Sequence, residues 1–381
     1  MTLSIHSAFD GGNIDVIEAH DPANVRLAIR PDVGDRHFQW FYFQVCGAQG
    51  EDLNLVIENA GQTSFAEAFE GYQAVASTDQ IHWFRVPTHF DGQALTIEHC
   101  PGADVIYYAF FEPHSNARHL QLLADAQAHP AVSIETLCAT PDGHAHSLMT
   151  VTDCDADQPV VVWITARQHP GEPMAEWWVE GFMDRLLDPA DAVARALLAR
   201  CVFYVVPNMC IDGSIRGHLR CNAHGANLNR EWAEPCPERS PEVYYVREKM
   251  HATGIDIALD VHGDEALPYN FFAGAEGTPG WNDQKQREFD RFKQILADRS
   301  PDFQTQYGYE IDPPNSSDLK KCTDYLAETF DCLAVTLEMP FKDTANAPVP
   351  ETGWDGFRSQ QFGRAMLDAL WAVISKQAPN D

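Results

Sequence analysis

Four dense apolar runs constrain this chain most: Val160–Ala166, Cys201–Val206, Ile255–Val261 and Cys332–Leu337. Their apolar character is continuous rather than alternating, which implies strands buried on both faces, as in α/β sheets. Helical patterns lie between them. In Glu172–Leu187, Met174, Trp178, Phe182 and Leu186 recur every fourth position, one stripe on a helix, and Pro173 suits its first turn. Gln284–Leu296 and Arg364–Ile374 read the same way. The expected fold is α/β, a mixed, largely parallel sheet flanked by helices.

The chain changes character near residue 114. Before it, Phe38–Val45, Leu53–Ile57, His82–Val86 and Asp104–Phe111 are short runs rich in aromatic and β-branched residues, broken by turn residues such as Asp91-Gly92-Gln93. Such spacing predicts an antiparallel β-sandwich with no catalytic cluster of its own. The expected division is residues 1–113 and 114–381. After it come a short helix over Leu120–Ala128 and a hairpin, Val132–Cys138 and Ser147–Thr152, turning at Pro141-Asp142-Gly143. His144 and His146 follow that turn and are expected to be solvated.

The charge balance excludes whole classes of function. With 26 Lys and Arg against 56 Asp and Glu, the net charge is −30. No concentrated basic face for nucleic acid or anionic lipid can come from that composition. No apolar run approaches the roughly 20 residues of a membrane span, and the start lacks the pattern of a secretory signal. The ten cysteines form no C-x-x-C pair. They read as reduced thiols in a cytoplasmic protein.

Three of the four buried runs lead into residues able to do chemistry: His169 and Glu172, His262, and Glu338. Ligands of open α/β sheets sit outside the carboxyl ends of the strands, so parallel neighbours would bring these four side chains together. His169 and Glu172, at a turn shaped by Pro170 and Gly171, can aim an imidazole and a carboxylate at one ion. His262 is the natural third ligand. Two His and one Glu leave a position for water, the pattern of catalytic zinc. Plainer readings stand beside each: a carboxylate complementing a helix dipole, or a core histidine bonded to backbone. Glu338 follows a buried strand, where a carboxylate is costly unless it is paired or faces a site; a general base meets that demand. The loop after Cys201–Val206 carries Arg216, Arg220 and Arg230, and Asn229-Arg230 suits a two-pronged grip on a carboxylate. Structural salt bridges are the competing account of these arginines.

The motifs HPGE at 169–172, PNM…DG at 207–213, GANLNREW at 225–232, DVHG at 260–263 and TLEMPF at 336–341 resemble the zinc metallocarboxypeptidases, in the family's order. FDGGN at 9–13, QWFYFQV at 39–45 and YYAFFEPHS at 107–115 resemble the β-sandwich of the cytosolic carboxypeptidase subgroup. The resemblance implies a carboxypeptidase-like fold and one zinc per chain on His169, Glu172 and His262. It implies Glu338 as general base, Arg220 polarising the scissile carbonyl, and Asn229 and Arg230 holding the substrate's terminal carboxylate. The substrate would be a peptide or protein C-terminus, with acidic last residues preferred; Lys320 and Lys321 lie where a specificity residue would fall, and a solvated pair of lysines is the competing account. Two departures stand out. Asn227 occupies a position where the family often has Asp, and the family's mobile tyrosine has three candidates, Tyr307, Tyr309 and Tyr325. An aspartoacylase-like deacylase of N-acyl amino acids shares the zinc site and the carboxylate clamp, but the β-domain lies before the catalytic part, which favours the peptidase. An idle binder of peptide tails is the remaining class. Self-association into a homo-oligomer stays open.

Overall fold

A computed structural model describes residues 3–375. Ten short strands come first: β1 (Ser4–His6), β2 (Asp15–Glu18), β3 (Val25–Ala28), β4 (Tyr42–Cys46), β5 (Leu53–Ile57), β6 (Val75–Ser77), β7 (Phe84–Arg85), β8 (Thr88–Phe90), β9 (Leu95–His99) and β10 (Val105–Ala109). They form two five-stranded sheets, in spatial order β1-β4-β10-β6-β7 and β2-β3-β5-β9-β8. Pairing is antiparallel apart from β3 with β5. Phe41, Phe43, Val45, Leu55, Ile57, Leu95, Ile97 and Tyr108 belong to one buried core.

The remainder alternates helix and strand: α1 (Asn116–Ala126), β11 (Val132–Ala139), β12 (Ala145–Val151), β13 (Val160–Ala166), α2 (Met174–Leu186), α3 (Ala192–Leu198), β14 (Cys201–Val206), α4 (Ile211–Arg216), α5 (Pro241–Thr253), β15 (Ile257–Val261), β16 (Phe271–Ala273), α6 (Asp283–Arg299), α7 (Cys322–Phe330), β17 (Leu333–Glu338) and α8 (Gly356–Ile374). Seven strands make one mixed sheet in the order β11-β12-β14-β13-β15-β17-β16. Its centre, β14-β13-β15-β17, is parallel throughout, which is why those four runs are apolar on both sides. Trp163, Trp178, Trp232 and Trp354 are fully buried, each contributing roughly 2–3 kcal/mol through the apolar surface it removes from water.

Several boundaries differ from the sequence expectation for local reasons. In FQWFYFQV the strand starts only at Tyr42, because Gln39 exchanges side-chain bonds with the Phe65 backbone at 2.9 and 3.1 Å and draws the chain aside. The strand expected over His82–Val86 shrinks to Phe84–Arg85, since Asp79 accepts the amides of Ile81 and His82, both at 2.8 Å, in a turn. Helix α8 starts eight residues early, capped by Asp355, which accepts from the Arg358 amide at 2.7 Å. The expectation for the 144–146 pair is overturned at His146, which is 0% exposed with neither ring nitrogen bonded; burial pushes it down to about 3. All ten cysteines are free. No helix among the described residues is long and apolar enough to cross a membrane.

Candidate active site

The register decides where the chemistry falls. Ala166 pairs with Val261, and Val261 with Leu337. The next residues along, Arg167, His262 and Glu338, therefore stand side by side at the carboxyl edge of the sheet. Arg167 turns the chain there, in the left-handed region at φ +56. Such a conformation costs a non-glycine residue about 1 kcal/mol or more, and fixed bonds hold it. Its Nε donates to Pro170 O at 2.9 Å and its Nη1 to Glu176 Oε2 at 2.8 Å. The resulting corner swings His169 and Glu172 back over the sheet edge.

His169, Glu172 and His262 meet there, all buried, with donor atoms within 4.8 Å of one another. Both imidazoles turn Nδ1 toward the same carboxylate: His169 lies 2.7 Å from Glu172 Oε1 and His262 2.8 Å from Oε2. Burial alone would raise Glu172, but the two imidazoles outweigh it and hold it well below the usual carboxylate range. Burial, reinforced by Arg220, pushes His169 down to about 4. Two nitrogens and one carboxylate oxygen converging in a buried pocket are the donor set of catalytic zinc, so these residues fit the metal. The outward nitrogens are held as well. His262 Nε2 is 3.0 Å from Asp260 Oδ2, and His169 Nε2 is 3.2 Å from Asn227 Oδ1. Asp260 accepts further from Gln168 Nε2 at 2.7 Å and Thr165 Oγ1 at 3.0 Å, and Trp232 Nε1 donates to Gln168 Oε1 at 2.8 Å.

A cavity of about 540 Å³ opens over this group, lined also by Arg220, Asn229, Arg230, Tyr309, Lys321 and Glu338. Glu338 is 7% exposed; its Oε1 meets the Tyr309 hydroxyl at 3.1 Å while Oε2 has no partner. Burial pushes its carboxyl well above the usual range. Of the three tyrosines, Tyr309 is the one that reaches it. Tyr307 stacks on Tyr269 at 4.4 Å, and Tyr325 bonds His251 at 3.0 Å. Asn229 Oδ1 accepts from the Cys322 amide at 2.8 Å, and Arg230 bonds the Asn229 carbonyl at 2.6 Å. Arg220 projects over the Phe65 ring, 5.6 Å from its centroid. Arg216 takes the structural role instead, forked on Asp142 at 2.7 and 2.8 Å. Lys321 is on the cavity wall and Lys320 is exposed outside it.

Several participants were missed in the sequence. Asp260 left a signal, an acid inside a buried strand two residues before His262. Asp264, which accepts from Tyr309 at 2.7 Å, and Gln168 left none. A second donor group, Asp35, His37 and Cys221, also lies close together. There His37 Nδ1 is already paired with Asp35, and burial pushes the Cys221 thiol up, so it offers a cation little.

Comparison with known proteins agrees with this geometry. The zinc carboxypeptidase family matches residues 119–360, and the cytosolic carboxypeptidase N-terminal domain matches residues 5–111. The chain belongs to the zinc carboxypeptidase family: it is a metallocarboxypeptidase, a hydrolase of peptide bonds, and the family implies a bound metal, generally zinc. A metallo-carboxypeptidase from Burkholderia cenocepacia is 47% identical with a TM-score of 0.96, over 99% of this chain and 100% of that one. A Pseudomonas aeruginosa metallo-carboxypeptidase in complex with (2-guanidinoethylmercapto)succinic acid is 42% identical, TM-score 0.94, over 98% and 99% of the two chains. Mouse cytosolic carboxypeptidase 3 is 27% identical over 73% of this chain, and the match spans 31% of that longer protein.

Proposed function

We propose that the chain removes single residues from the C-termini of peptides or protein tails, at one zinc held by His169, Glu172 and His262. When bound, the metal supplies a water of lowered pKa and a Lewis acid for the scissile carbonyl. Glu338 takes the proton of the attacking water and returns it to the leaving amine. Arg220 polarises the carbonyl and stabilises the oxyanion. Asn229 and Arg230 grip the terminal carboxylate, which confines cleavage to the last bond. Tyr309 steadies Glu338 through its hydroxyl. The observation that carries this reading is Glu338, whose Oε2 has no partner, on the wall of the same cavity that Arg220, Asn229, Arg230 and the buried triad line.

An acidic last residue is the preferred substrate in this reading. Lys321 on the cavity wall supports it; its Nζ stands 3.7 Å from Asp312, a loose pairing that a substrate carboxylate can replace. The division at 1–113 and 114–381 is likewise our proposal, supported by the separate sheets on either side. A cytoplasmic location is supported by the ten free thiols and by the matched relatives named cytosolic carboxypeptidases.

The test is a panel of N-blocked tripeptides differing in the last residue, run beside a panel of N-acyl amino acids. The wild type is expected to release the last residue of the peptides, fastest where it is acidic. Glu338→Gln should keep its zinc and lose roughly 10²–10⁴-fold in kcat. Turnover of the N-acyl amino acids with peptides left intact would establish the deacylase instead. Undiminished kcat in Glu338→Gln would remove that residue from the reaction.

A further inference from the structure

The segment from α4 to Arg230 carries Arg220, Asn229 and Arg230, yet part of what holds it comes from loops of the N-terminal region. Asp32 is 3% exposed. Its Oδ1 accepts the Leu219 amide at 2.7 Å, and its Oδ2 accepts the amides of Arg220 at 2.8 Å and Cys221 at 2.9 Å. Three consecutive N–H groups converge on one carboxylate, a backbone nest for an anion, and the nest is centred on Arg220. Around it the same region makes further attachments. Asn13 Nδ2 donates to Gly217 O at 2.9 Å, the Gly11 amide to Ile215 O at 2.8 Å, and the Val33 amide to His218 Nε2 at 3.2 Å. At Gly217, φ +71, an added Cβ would stand 2.7 Å from Gly11 O; at Gly225, φ +71, it would stand 2.7 Å from Gly34 O. No other residue type fits these two close approaches.

We propose that Asp32 is a positioning residue for hydrolysis: it fixes the backbone at Arg220 so that the guanidinium, resting on Phe65, is held where the carbonyl oxygen develops charge. The inference rests on the reading of Arg220 given under Proposed function. It also gives FDGGN, which no catalytic role explained, a place in the reaction: Gly11 and Asn13 support the loop that Asp32 clamps. The bonds flank Arg220 on both sides in sequence, whereas the domain contact as a whole needs no such centring. A displacement of about 1 Å at a reacting centre costs on the order of 10²-fold in rate, so three bonds that set this backbone act on the transition state.

The experiment is a double-mutant cycle on kcat and KM, with the best-cleaved N-blocked tripeptide as probe and zinc content measured for each variant. Asp32→Asn keeps the shape but turns an amide donor toward N–H groups. It should lower kcat roughly 10–100-fold, leave KM within about threefold, and retain one zinc per chain. Arg220→Gln should lower kcat about 10²–10³-fold. Adding Asp32→Asn to it should cost nothing further, because the group Asp32 places is gone. An unchanged kcat in Asp32→Asn overturns the proposal. So does a loss that recurs in full in the Arg220→Gln background, which marks Asp32 as general scaffolding. Full activity of Arg220→Gln is a separate result, overturning the role of Arg220 itself. Where Asp32→Asn fails to fold, Asp32→Glu, which keeps the charge and shifts the nest by one methylene, is put through the same cycle with the same expectations.

Discussion

Asn227→Asp should tighten zinc binding. The two histidines proposed as ligands are supported unequally, and the difference is measurable. His262 has the Asp260 carboxylate at 3.0 Å behind its outward nitrogen; His169 has only the Asn227 amide oxygen at 3.2 Å. An N–H bond to an ionised acceptor is roughly twice as strong as a neutral one, about 1.5–3 kcal/mol net against about 0.5–1.5. Asn227 is half-buried, so the lower part of that difference applies, about 1 kcal/mol. Since about 1.4 kcal/mol is tenfold in an equilibrium constant, Asn227→Asp should bind zinc about fivefold more tightly. The same logic reversed gives Asp260→Asn a roughly 10–100-fold weaker site, because Gln168 Nε2 and Thr165 Oγ1 would then face an amide where they now donate to a carboxylate. Competition against a chromogenic chelator at fixed pH reads both constants without recourse to activity. An Asn227→Asp protein that holds zinc no more tightly than the wild type would falsify the argument that the outer partner of His169 limits the site.

Two further outcomes follow from other parts of the molecule. Tyr309→Phe removes the hydroxyl that meets both Glu338 and Asp264; kcat should fall on the order of tenfold, the worth of one bond to a charged group, with zinc content unchanged, and unaltered kinetics would place Tyr309 outside the reaction. Glu112 accepts from the Gly356 amide at 2.9 Å, and burial pushes it up to about 7. A folded value above the unfolded one means its contribution is fully present below about pH 4.5 and lost as pH rises through about 7. The Tm of Glu112→Gln should therefore fall less than that of the wild type between pH 5 and pH 8, and parallel curves would contradict the assignment.

What the sequence made legible was whatever lies at the end of a buried strand. The apolar runs located β13, β14, β15 and β17, and strand ends in a parallel sheet share one edge, so His169, Glu172, His262 and Glu338 could be placed together before any coordinates. Tyr309 could not be singled out, because it lies on an irregular stretch between α6 and α7 with no periodicity to set its direction. Asp260 left the signal of an acid within a buried strand, but its role is shown by the bonds from Gln168 and Thr165, a polar layer beneath the imidazole. His146 went wrong for the opposite reason. A Pro-Asp-Gly turn marks exposure for its own residues, and His146 is already on β12, facing inward.

Asp32 was illegible in a different sense. Nothing near it in sequence needs a carboxylate; its partners lie 187–189 positions away. Yet that distance explains how the site is built. The carboxyl edge of the large sheet places His262 and Glu338, and the turn after β13 places His169 and Glu172. The segment carrying Arg220, Asn229 and Arg230, proposed to meet the substrate, includes only the short α4 and a three-residue 3₁₀ turn at Leu228–Arg230 as regular structure. The stretch bonds to itself at its turns, the His218 amide to Gly213 O and the Asn222 amide to Ala226 O, both at 2.9 Å, and to the catalytic half through the Gly171 amide on Leu219 O at 2.9 Å. Around Arg220 further bonds are made by Gly11, Asn13, Asp32 and Val33, which lie in loops of the N-terminal half, so the site is set both by the edge of the large sheet and by those loops. Their relative alignment is an interface property, and substitutions at residues 11–34 should therefore be read in kcat before they are read in stability.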